Sequence, residues 1–245
     1  MKKTKNAPCF WLYGHHAVVE ALKNPNRQKL NLRMTNEVNL DKDLIANIPT
    51  QIVSRQEIQR ILPDGAVHQG LALQVRPLEN DWNDFLHLAE QKEQAVVVIL
   101  DQVTDPHNIG AILRSAAAFE ALAVIIPENN APEESGTLAK SACGGLEIVP
   151  LLRVTNLVRA MKDLKDIGFW CLGMDGRAKQ SISDKKLPIK TVFVMGSEGE
   201  GLRRLTAENC DYMVKLPISP KMESLNVSNA TAICLYEFSK AQQSS

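Results

Sequence analysis

The sequence predicts an α/β fold: a mostly parallel sheet in the C-terminal part, preceded by a small N-terminal α/β domain. From residue 95 onward, segments typical of strands alternate with segments typical of helices, as in parallel sheets with crossover helices. The first strand, Ala95–Leu100, is a continuous run of β-branched and aliphatic residues, as expected of a strand covered on both faces. The chain has 245 residues, 44% hydrophobic and 23% charged, an ordinary globular composition.

The N-terminal part, residues 9–76, contains short apolar runs separated by polar stretches. We predict one helix and three strands there, over residues 14–23, 29–34, 51–53 and 70–75. Residues 77–94 begin with Pro77 and are rich in turn-forming residues, so we predict a linker with a short helical stretch over 85–92. The predicted N-terminal domain therefore spans 9–76 and the C-terminal domain 95–242.

In the C-terminal domain, apolar runs of strand length alternate with amphipathic stretches of helix length. The predicted strands are 95–100, 123–126, 148–152, 169–172, 191–195 and 213–216, and the predicted helices are 109–119, 137–143, 156–167, 202–209 and 226–240. In the last helix, Val227, Ala230, Cys234 and Phe238 recur at spacings of three and four residues, which predicts one apolar face.

Composition excludes several classes of protein. The 28 basic and 28 acidic residues balance, so any nucleic-acid partner would have to bind a local basic patch. The cysteines form no C-x-x-C pair and the histidines lack ligand spacing, so we predict reduced thiols, no disulfide framework and no metal site. No run of 18 apolar residues occurs, so we expect no membrane-spanning helix, and we expect a cytoplasmic protein. The five cysteines are Cys9, Cys143, Cys171, Cys210 and Cys234.

Three loops that follow predicted strands combine glycines with directional polar side chains. Loop 1, residues 101–110, leads into a helix and carries Asn108, with Arg114 farther along that helix. Loop 2, residues 196–201, is glycine-rich and contains Glu198. Loop 3, residues 217–226, contains Ser224 and Asn226. Ligands of open α/β sheets bind beyond the carboxyl ends of the strands, so we expect a site where these loops meet.

Simpler interpretations remain open for each of these groups. Asn108, Ser224 and Asn226 are residue types that cap helices, and Arg114 could pair with any carboxylate. The glycines of loop 2 could form an ordinary left-handed turn. They also match half of a dinucleotide-binding fingerprint, but the carboxylates in this loop would repel a pyrophosphate, which disfavours a nicotinamide cofactor.

The three loops resemble the three motifs of the SpoU/TrmH class of knotted (SPOUT) RNA 2′-O-ribose methyltransferases. The matching segments are residues 105–115 (DPHNIGAILRS), 194–201 (VMGSEGEG) and 224–230 (SLNVSNA). The segments 13–18 (YGHHAV) and 64–70 (DGAVHQG) resemble the ends of the substrate-binding domain in the branch that acts on 23S ribosomal RNA guanosine. Residues 141–150 (SACGGLEIVP) and 153–157 (RVTNL) also fit that branch.

The resemblance implies a C-terminal trefoil knot, a homodimer, S-adenosylmethionine as cofactor and a guanosine ribose of 23S ribosomal RNA as substrate. The residues that it places in the cofactor pocket are Met195, Gly196, Leu216, Ile218 and Leu225. The residues that it places in the catalytic constellation are Asn108, Arg114, Glu198, Ser224 and Asn226. As RNA contacts from the N-terminal part, we predict Lys2, Lys3, Lys5, Arg27, Lys29 and Arg33.

For the chemistry, we expect Arg114 to bind phosphate or to stabilise negative charge on the 2′-oxygen, because a guanidinium is too basic to accept a proton. Asn108 and Glu198 would orient Arg114, while Ser224 and Asn226 would position ribose and cofactor. The charged Lys221 and Glu223 depart from the small or apolar residues common in the family, as does Asn229. The alternatives are a transfer-RNA ribose methyltransferase, a non-catalytic RNA-binding module of the same fold, and a nicotinamide-dependent enzyme.

Overall fold

The computed structural model describes residues 9–184 and 186–243, which form two sheets and their flanking helices. The strands are β1 (Phe10–Tyr13), β2 (Lys29–Met34), β3 (Thr50–Ile52), β4 (Leu71–Val75), β5 (Ala95–Leu100), β6 (Ala123–Pro127), β7 (Leu151–Val154), β8 (Trp170–Met174), β9 (Gln180–Ser181), β10 (Lys190–Met195) and β11 (Tyr212–Lys215). The α-helices are α1 (His15–Lys23), α2 (Lys42–Ile45), α3 (Arg55–Gln59), α4 (Trp82–Glu90), α5 (Pro106–Ala118), α6 (Gly136–Ala142), α7 (Gly145–Ile148), α8 (Leu157–Asp166), α9 (Arg204–Glu208) and α10 (Val227–Gln243).

The N-terminal sheet has the strand order β1-β4-β2-β3 and is mixed, because β4 runs antiparallel to both of its neighbours while β2 and β3 run parallel. The sequence did not predict β1. Its four residues, FWLY, are all apolar and show no alternation of polar and apolar positions, so no period of two marks a strand. The single-turn helices α2 and α3 were also missed; side-chain caps at Asp41 and Ser54 begin them.

The C-terminal sheet has seven strands, all paired in parallel, in the order β7-β6-β5-β10-β8-β11-β9. This confirms the predicted α/β class. Alternate residues of β5 face opposite sides: Val96 and Val98 pack against one group of helices, and Val97 and Ile99 pack against another that includes α4 and α8. Each face of the strand is buried, which is why its sequence is apolar throughout.

One predicted strand differs in the structure, one predicted helix has different bounds, and one prediction stays open. The strand predicted over 148–152 is in fact the end of α7 followed by β7, because a short apolar run does not distinguish a buried helix from a strand. The helical stretch predicted over 85–92 within the linker is α4, which begins at Trp82 and buries Phe85 and Ala89 against the C-terminal sheet. The trefoil knot stays a prediction of the resemblance, because strand order does not define how a chain threads through its own loops.

The five cysteines are free in the structure. Burial raises the pKa of the Cys171, Cys210 and Cys234 thiols to about 12, so these three are protonated and unreactive at neutral pH. In the part of the chain that the structure describes, no helix is both long enough and apolar enough to cross a membrane.

A buried ion-pair cluster joins the N-terminal sheet to the C-terminal domain. The Arg27 side chain has no solvent exposure and contacts the carboxylates of Glu134 at 2.9 Å and Glu147 at 2.6 Å. It also donates to the carbonyl of Arg76 at 2.9 Å, and Glu134 accepts from the Leu78 backbone NH at 3.2 Å. Burial raises the pKa of Glu134, while Arg27 opposes that rise by favouring the carboxylate. The two domains also share one apolar core.

This cluster corrects one predicted RNA contact. Arg27 cannot contact RNA, because its side chain is buried and its guanidinium is bonded to two carboxylates. Both carboxylates belong to distant parts of the chain. Of the other candidates, Lys29 donates to the carbonyl of Asn24, and Arg33 lies over the ring of Trp11 at 5.3 Å. Lys2, Lys3 and Lys5 lie outside the described residues.

Replacing Arg27 by methionine should lower the free energy of unfolding by about 3–5 kcal/mol, because it leaves two carboxylates buried without their counter-ion. Urea denaturation measures the change. The matched control is Arg55→Met, which breaks an ion pair with Glu37 in which both side chains are more than 60% exposed, and it should cost about 0–1 kcal/mol. Equal effects of the two substitutions would show that the Arg27 cluster does not hold the domains together.

Candidate active site

Loops 1, 2 and 3 lie at one edge of the C-terminal sheet. They follow β5, β10 and β11, which all run in the same direction, and β5 pairs directly with β10. The carboxyl ends of parallel strands meet at the same edge, so the topology brings together three loops that are far apart in sequence. The site expected from the sequence is therefore built by the sheet itself.

Asn108 lies in the first turn of α5 but does not cap it. The cap is Asp105, whose carboxylate accepts from the backbone NH of His107 at 2.9 Å, with Pro106 at the first helical position. The side chain of Asn108 is therefore not used for capping. Its Oδ1 instead accepts from Nδ2 of Asn226 at 2.9 Å.

Asn226 is the centre of the polar network. Its Nδ2 donates to Oδ1 of Asn108 and also to Oε1 of Glu198, at 2.7 Å. Its Oδ1 accepts from the backbone NH of Ser228 at 2.9 Å, so the same residue also caps the first turn of α10. Oε1 of Glu198 accepts in addition from the Val227 NH at 3.1 Å. A carboxylate at a helix N-terminus is stabilised by the helix dipole, so Glu198 is held firmly in place.

The network leaves one donor and one acceptor available. In the described part of the chain, Nδ2 of Asn108 and Oε2 of Glu198 have no hydrogen-bond partner, and both groups belong to side chains fixed by Asn226. An amide NH and a carboxylate oxygen are complementary to a hydroxyl group, which both accepts and donates. The arrangement can therefore bind and orient an alcohol.

A cavity of about 390 Å³ adjoins this network. All five residues predicted for the cofactor pocket line it: Met195, Gly196, Leu216, Ile218 and Leu225. Glu198 and Ser224 line it as well. Its walls therefore combine apolar side chains with backbone polar groups, the usual composition of a small-molecule site.

The loop after β8, which was not among the predicted site loops, supplies Asp175, Gly176 and Arg177 to the same cavity. The guanidinium of Arg177 makes two 3.0 Å hydrogen bonds to the Asp175 carboxylate and thereby lowers the pKa of Asp175. No motif marks this loop. Its position after a strand of the same sheet was the available signal.

Glycine is required in loop 2 by close packing. A Cβ on Gly196 would lie 2.2 Å from the carbonyl carbon of Gly201, a distance no side chain tolerates. The loop is closed by mutual backbone hydrogen bonds between Ser197 and Gly201, at 3.1 and 3.2 Å. Gly199 and Gly201 have φ of 95° and 74°, the left-handed region that favours glycine.

Arg114 is not part of this network. It lies six residues beyond Asn108 on α5, roughly 9 Å along the helix axis, and is exposed. Its Cα packs beside Gly145 of α7, and its side chain neither lines the cavity nor bonds to any described residue. Loop 3 carries two charged residues at positions where small or apolar residues are expected. Glu223 lines the cavity and Lys221 does not.

A second cavity, of about 440 Å³, lies between the domains beside Glu147 and Pro150. It is near the start of β7, hence at the opposite edge of the sheet from the three loops, and contains no predicted site residue. We therefore assign the site to the smaller cavity. Among residues 9–184 and 186–243, no cluster of histidine, cysteine or acidic side chains could hold a metal ion.

Comparisons with known proteins agree on the kind of molecule. Residues 95–236 match the model of the SpoU rRNA Methylase family, and residues 11–81 match RNA 2'-O ribose methyltransferase substrate binding. The 23S rRNA (guanosine-2'-O-)-methyltransferase RlmB of Salmonella typhimurium is 41% identical over 240 residues, 92% of this chain and 96% of that protein. The protein of the same name from Photobacterium profundum is 47% identical over 180 residues, 73% of this chain and 74% of that protein.

The fold is also similar to solved structures. One is the SpoU methyltransferase AviRb from Streptomyces viridochromogenes in complex with the cofactor AdoMet. It superposes with a TM-score of 0.81 at 23% identity, over 96% of this chain and 91% of the other.

Gly196→Ala should lower the free energy of unfolding by about 1–3 kcal/mol, because the added methyl group overlaps the backbone of Gly201. The matched control in the same cavity is Gly176→Ala, whose nearest neighbour would be a carbonyl oxygen 3.9 Å away. That substitution should leave stability within about 0.5 kcal/mol of the parent. Chemical denaturation of both variants tests the difference. A Gly196→Ala protein as stable as Gly176→Ala would contradict the close packing of loop 2.

Proposed function

Because the chain belongs to the SpoU rRNA methylase family, we propose that it transfers a methyl group from S-adenosylmethionine to the ribose 2′-oxygen of a guanosine in 23S ribosomal RNA. The observation that carries the proposal is the network of Asn108, Asn226 and Glu198 at the cavity, which presents a donor and an acceptor to a hydroxyl group. The family match supplies the reaction class, and the network supplies groups that suit its substrate.

The cavity fits S-adenosylmethionine in size and chemistry. Leu216, Ile218 and Leu225 provide apolar contact for an adenine ring, and the backbone of loop 2 provides donors and acceptors. The carboxylate of Glu223 also lines the cavity and suits a ligand that carries positive charge. When bound, this cofactor supplies an electrophilic methyl group on a positively charged sulfur.

The chain's own residues hold the ribose hydroxyl. Nδ2 of Asn108 donates a hydrogen bond to the 2′-oxygen, and Oε2 of Glu198 accepts a hydrogen bond from the same hydroxyl. The two bonds fix the 2′-oxygen at the mouth of the cavity. Fixing two reactants in line can lower the barrier of a displacement of this kind by about 7–11 kcal/mol. Asn226 orients both groups without touching the substrate, and Ser224 adds a hydroxyl at the cavity wall.

Arg114 supplies positive charge to the 2′-oxygen as the O–H bond breaks and its proton passes to Oε2 of Glu198, which accepts the hydrogen bond from that hydroxyl. Within one copy, Arg114 lies outside the cavity, so we propose that the protein is a homodimer in which Arg114 of the partner subunit completes the site. The exposed side chains Ile233 and Tyr236 lie on α10, which packs against α5. They form an apolar stripe beside the helix that carries Arg114, and a second copy would cover it.

Domain boundaries and substrate follow the family. The proposed units are a substrate-binding domain over 9–76, a linker over 77–94 and a methyltransferase domain over 95–242 with a trefoil knot. In this proposal the N-terminal domain binds ribosomal RNA, and the protein is located in the cytoplasm. Transfer RNA is the second candidate substrate, because the same network would bind the ribose hydroxyl of either RNA.

The test is transfer of tritiated methyl groups from S-adenosylmethionine to undermethylated 23S ribosomal RNA and, separately, to bulk transfer RNA. We expect label in 23S ribosomal RNA, at a 2′-O-methylguanosine. Label confined to transfer RNA would overturn the substrate and keep the reaction. A protein that binds RNA and transfers no methyl group to either would be the non-catalytic module.

Arg114→Ala should reduce methyl transfer by at least about a hundredfold while leaving the dissociation constant for S-adenosylmethionine within about twofold, since Arg114 acts on the 2′-oxygen and not on the cofactor. Loss of both together would contradict these separate roles. Calorimetry and the methyl-transfer assay give the two values.

Mixing Arg114→Ala and Glu198→Ala subunits tests the partner's contribution. In a mixed dimer with shared sites, one site has both residues intact, so random mixing restores about a quarter of the parent activity. If Arg114 serves its own cavity, no site in any dimer is intact and the mixture stays inactive, which would refute the shared site. Parent protein diluted with either variant is the control for subunit exchange.

A further inference from the structure

A fully buried carboxylate lies between loops 1 and 2. Asp101 follows β5 directly, its side chain has no solvent exposure, and its backbone NH donates to the carbonyl of Met195 at 2.7 Å. Burying a charge is costly unless it is paired and hydrogen-bonded. Asp101 meets this requirement with Arg203, which follows loop 2.

Asp101 holds Arg203 in one orientation. Its Oδ2 accepts from the Arg203 backbone NH at 3.0 Å, and its Oδ1 accepts from Arg203 Nε at 2.7 Å. The Arg203 side chain is nevertheless half exposed. Among the described residues, nothing bonds to its Nη1 or Nη2. Asp101 thus fixes the guanidinium through Nε, while the edge formed by Nη1 and Nη2 is left for solvent or a ligand.

The neighbouring Arg204 is different. It is 77% exposed and pairs through Nη1 with Glu208, one turn along α9, in an ordinary surface ion pair. Nothing buried orients it. The two adjacent arginines therefore differ in one respect that concerns function: only Arg203 is preorganised by a buried acid.

We propose that Arg203 binds a backbone phosphate of the RNA beside the target nucleotide, and that Asp101 is the positioning residue that aims it. This inference rests on the proposed function, since it assumes that RNA enters at loops 1 and 2. A planar guanidinium with two parallel donors matches two phosphate oxygens, and phosphate contacts set the register of a nucleic acid on a protein. Arg203 follows the loop that carries Glu198, so a phosphate held there fixes the ribose relative to that carboxylate.

The anion could instead be the carboxylate of the cofactor. Arg203 does not line the cavity that fits S-adenosylmethionine, whereas Arg177 does, so the geometry favours the RNA. The two possible anions, an RNA phosphate and the cofactor carboxylate, predict different effects of substituting Arg203. A phosphate contact changes RNA affinity and its salt dependence, and a carboxylate contact changes the affinity for the cofactor.

The experiment uses the full chain and in vitro transcribed 23S ribosomal RNA, which carries no methyl groups. Because Arg203→Gln alone leaves the buried Asp101 without its counter-charge, it is tested together with the double variant Asp101→Asn/Arg203→Gln, which removes both charges and keeps an amide pair. Arg203→Lys retains a charge without the two-donor edge. Arg204→Gln is the matched control for a lost surface charge.

For Arg203→Gln and for the double variant, we expect the KM for RNA to rise about tenfold or more while the dissociation constant for S-adenosylmethionine stays within about twofold. The slope of log affinity for RNA against log salt should become shallower by about 0.7–0.9, the signature of one lost phosphate contact. Arg203→Lys should restore part of the RNA affinity. Arg204→Gln should leave KM within about twofold.

An unchanged salt slope and RNA KM in the folded double variant would overturn the inference and leave Arg203 a structural clamp for loop 2. A loss confined to cofactor affinity would also overturn it, in favour of a carboxylate contact. If the parent protein transfers no methyl group to either RNA, the proposed function fails and the inference falls with it, so the two failures are distinguishable.

Discussion

The site depends on the parallel pairing of β5 with β10, which is in register over all six residues of both strands. Because the strands end level with each other, loops 1 and 2 start side by side, and the Asp101 NH bonds directly to the carbonyl of Met195. From that shared edge Glu198 reaches the start of α10, and Asn226 reaches back to Asn108. A shift in register by one residue would exchange the side chains that pack on the two buried faces of the sheet and would move these loops out of line.

Two buried charge clusters hold distant parts of the chain together. Arg27 joins the N-terminal sheet to Glu134 and Glu147, and Asp101 joins loop 1 to Arg203 beyond loop 2. Such pairs add little net stability over apolar contacts of equal size, but breaking one leaves an uncompensated buried charge. Their effect is to specify a single arrangement. In the Arg27 cluster every charge is buried. In the Asp101–Arg203 pair the arginine is half exposed, and its Nη1 and Nη2 remain available to solvent or a ligand.

The polar network of the site is rigid because Asn226 uses its whole side chain. Both Nδ2 protons are donated, and its oxygen caps α10, so neither Asn108 nor Glu198 can rotate without losing a bond. Preorganised groups of this kind need no rearrangement when charge develops on a substrate. Arg114 is the exception, since it has no such support within one copy. In the proposed mechanism, the network therefore supplies fixed groups from one subunit, and Arg114 supplies a positive charge from the partner subunit.

The sequence by itself determined the parallel α/β class, most helices and strands, and the three loops that form the site, because burial of one face or of both leaves a local periodic pattern. Through the resemblance, its motifs also identified five of the residues that line the cavity together with Glu198. Only the tertiary structure decided that Arg27 is enclosed, that Asp105 rather than Asn108 caps α5, and that Arg114 lies outside the cavity. Arg27 and Glu147 are 120 residues apart, and Asn226 and Asn108 are 118 apart. No local pattern records such pairs, because they exist only once the sheet has brought its strand ends together.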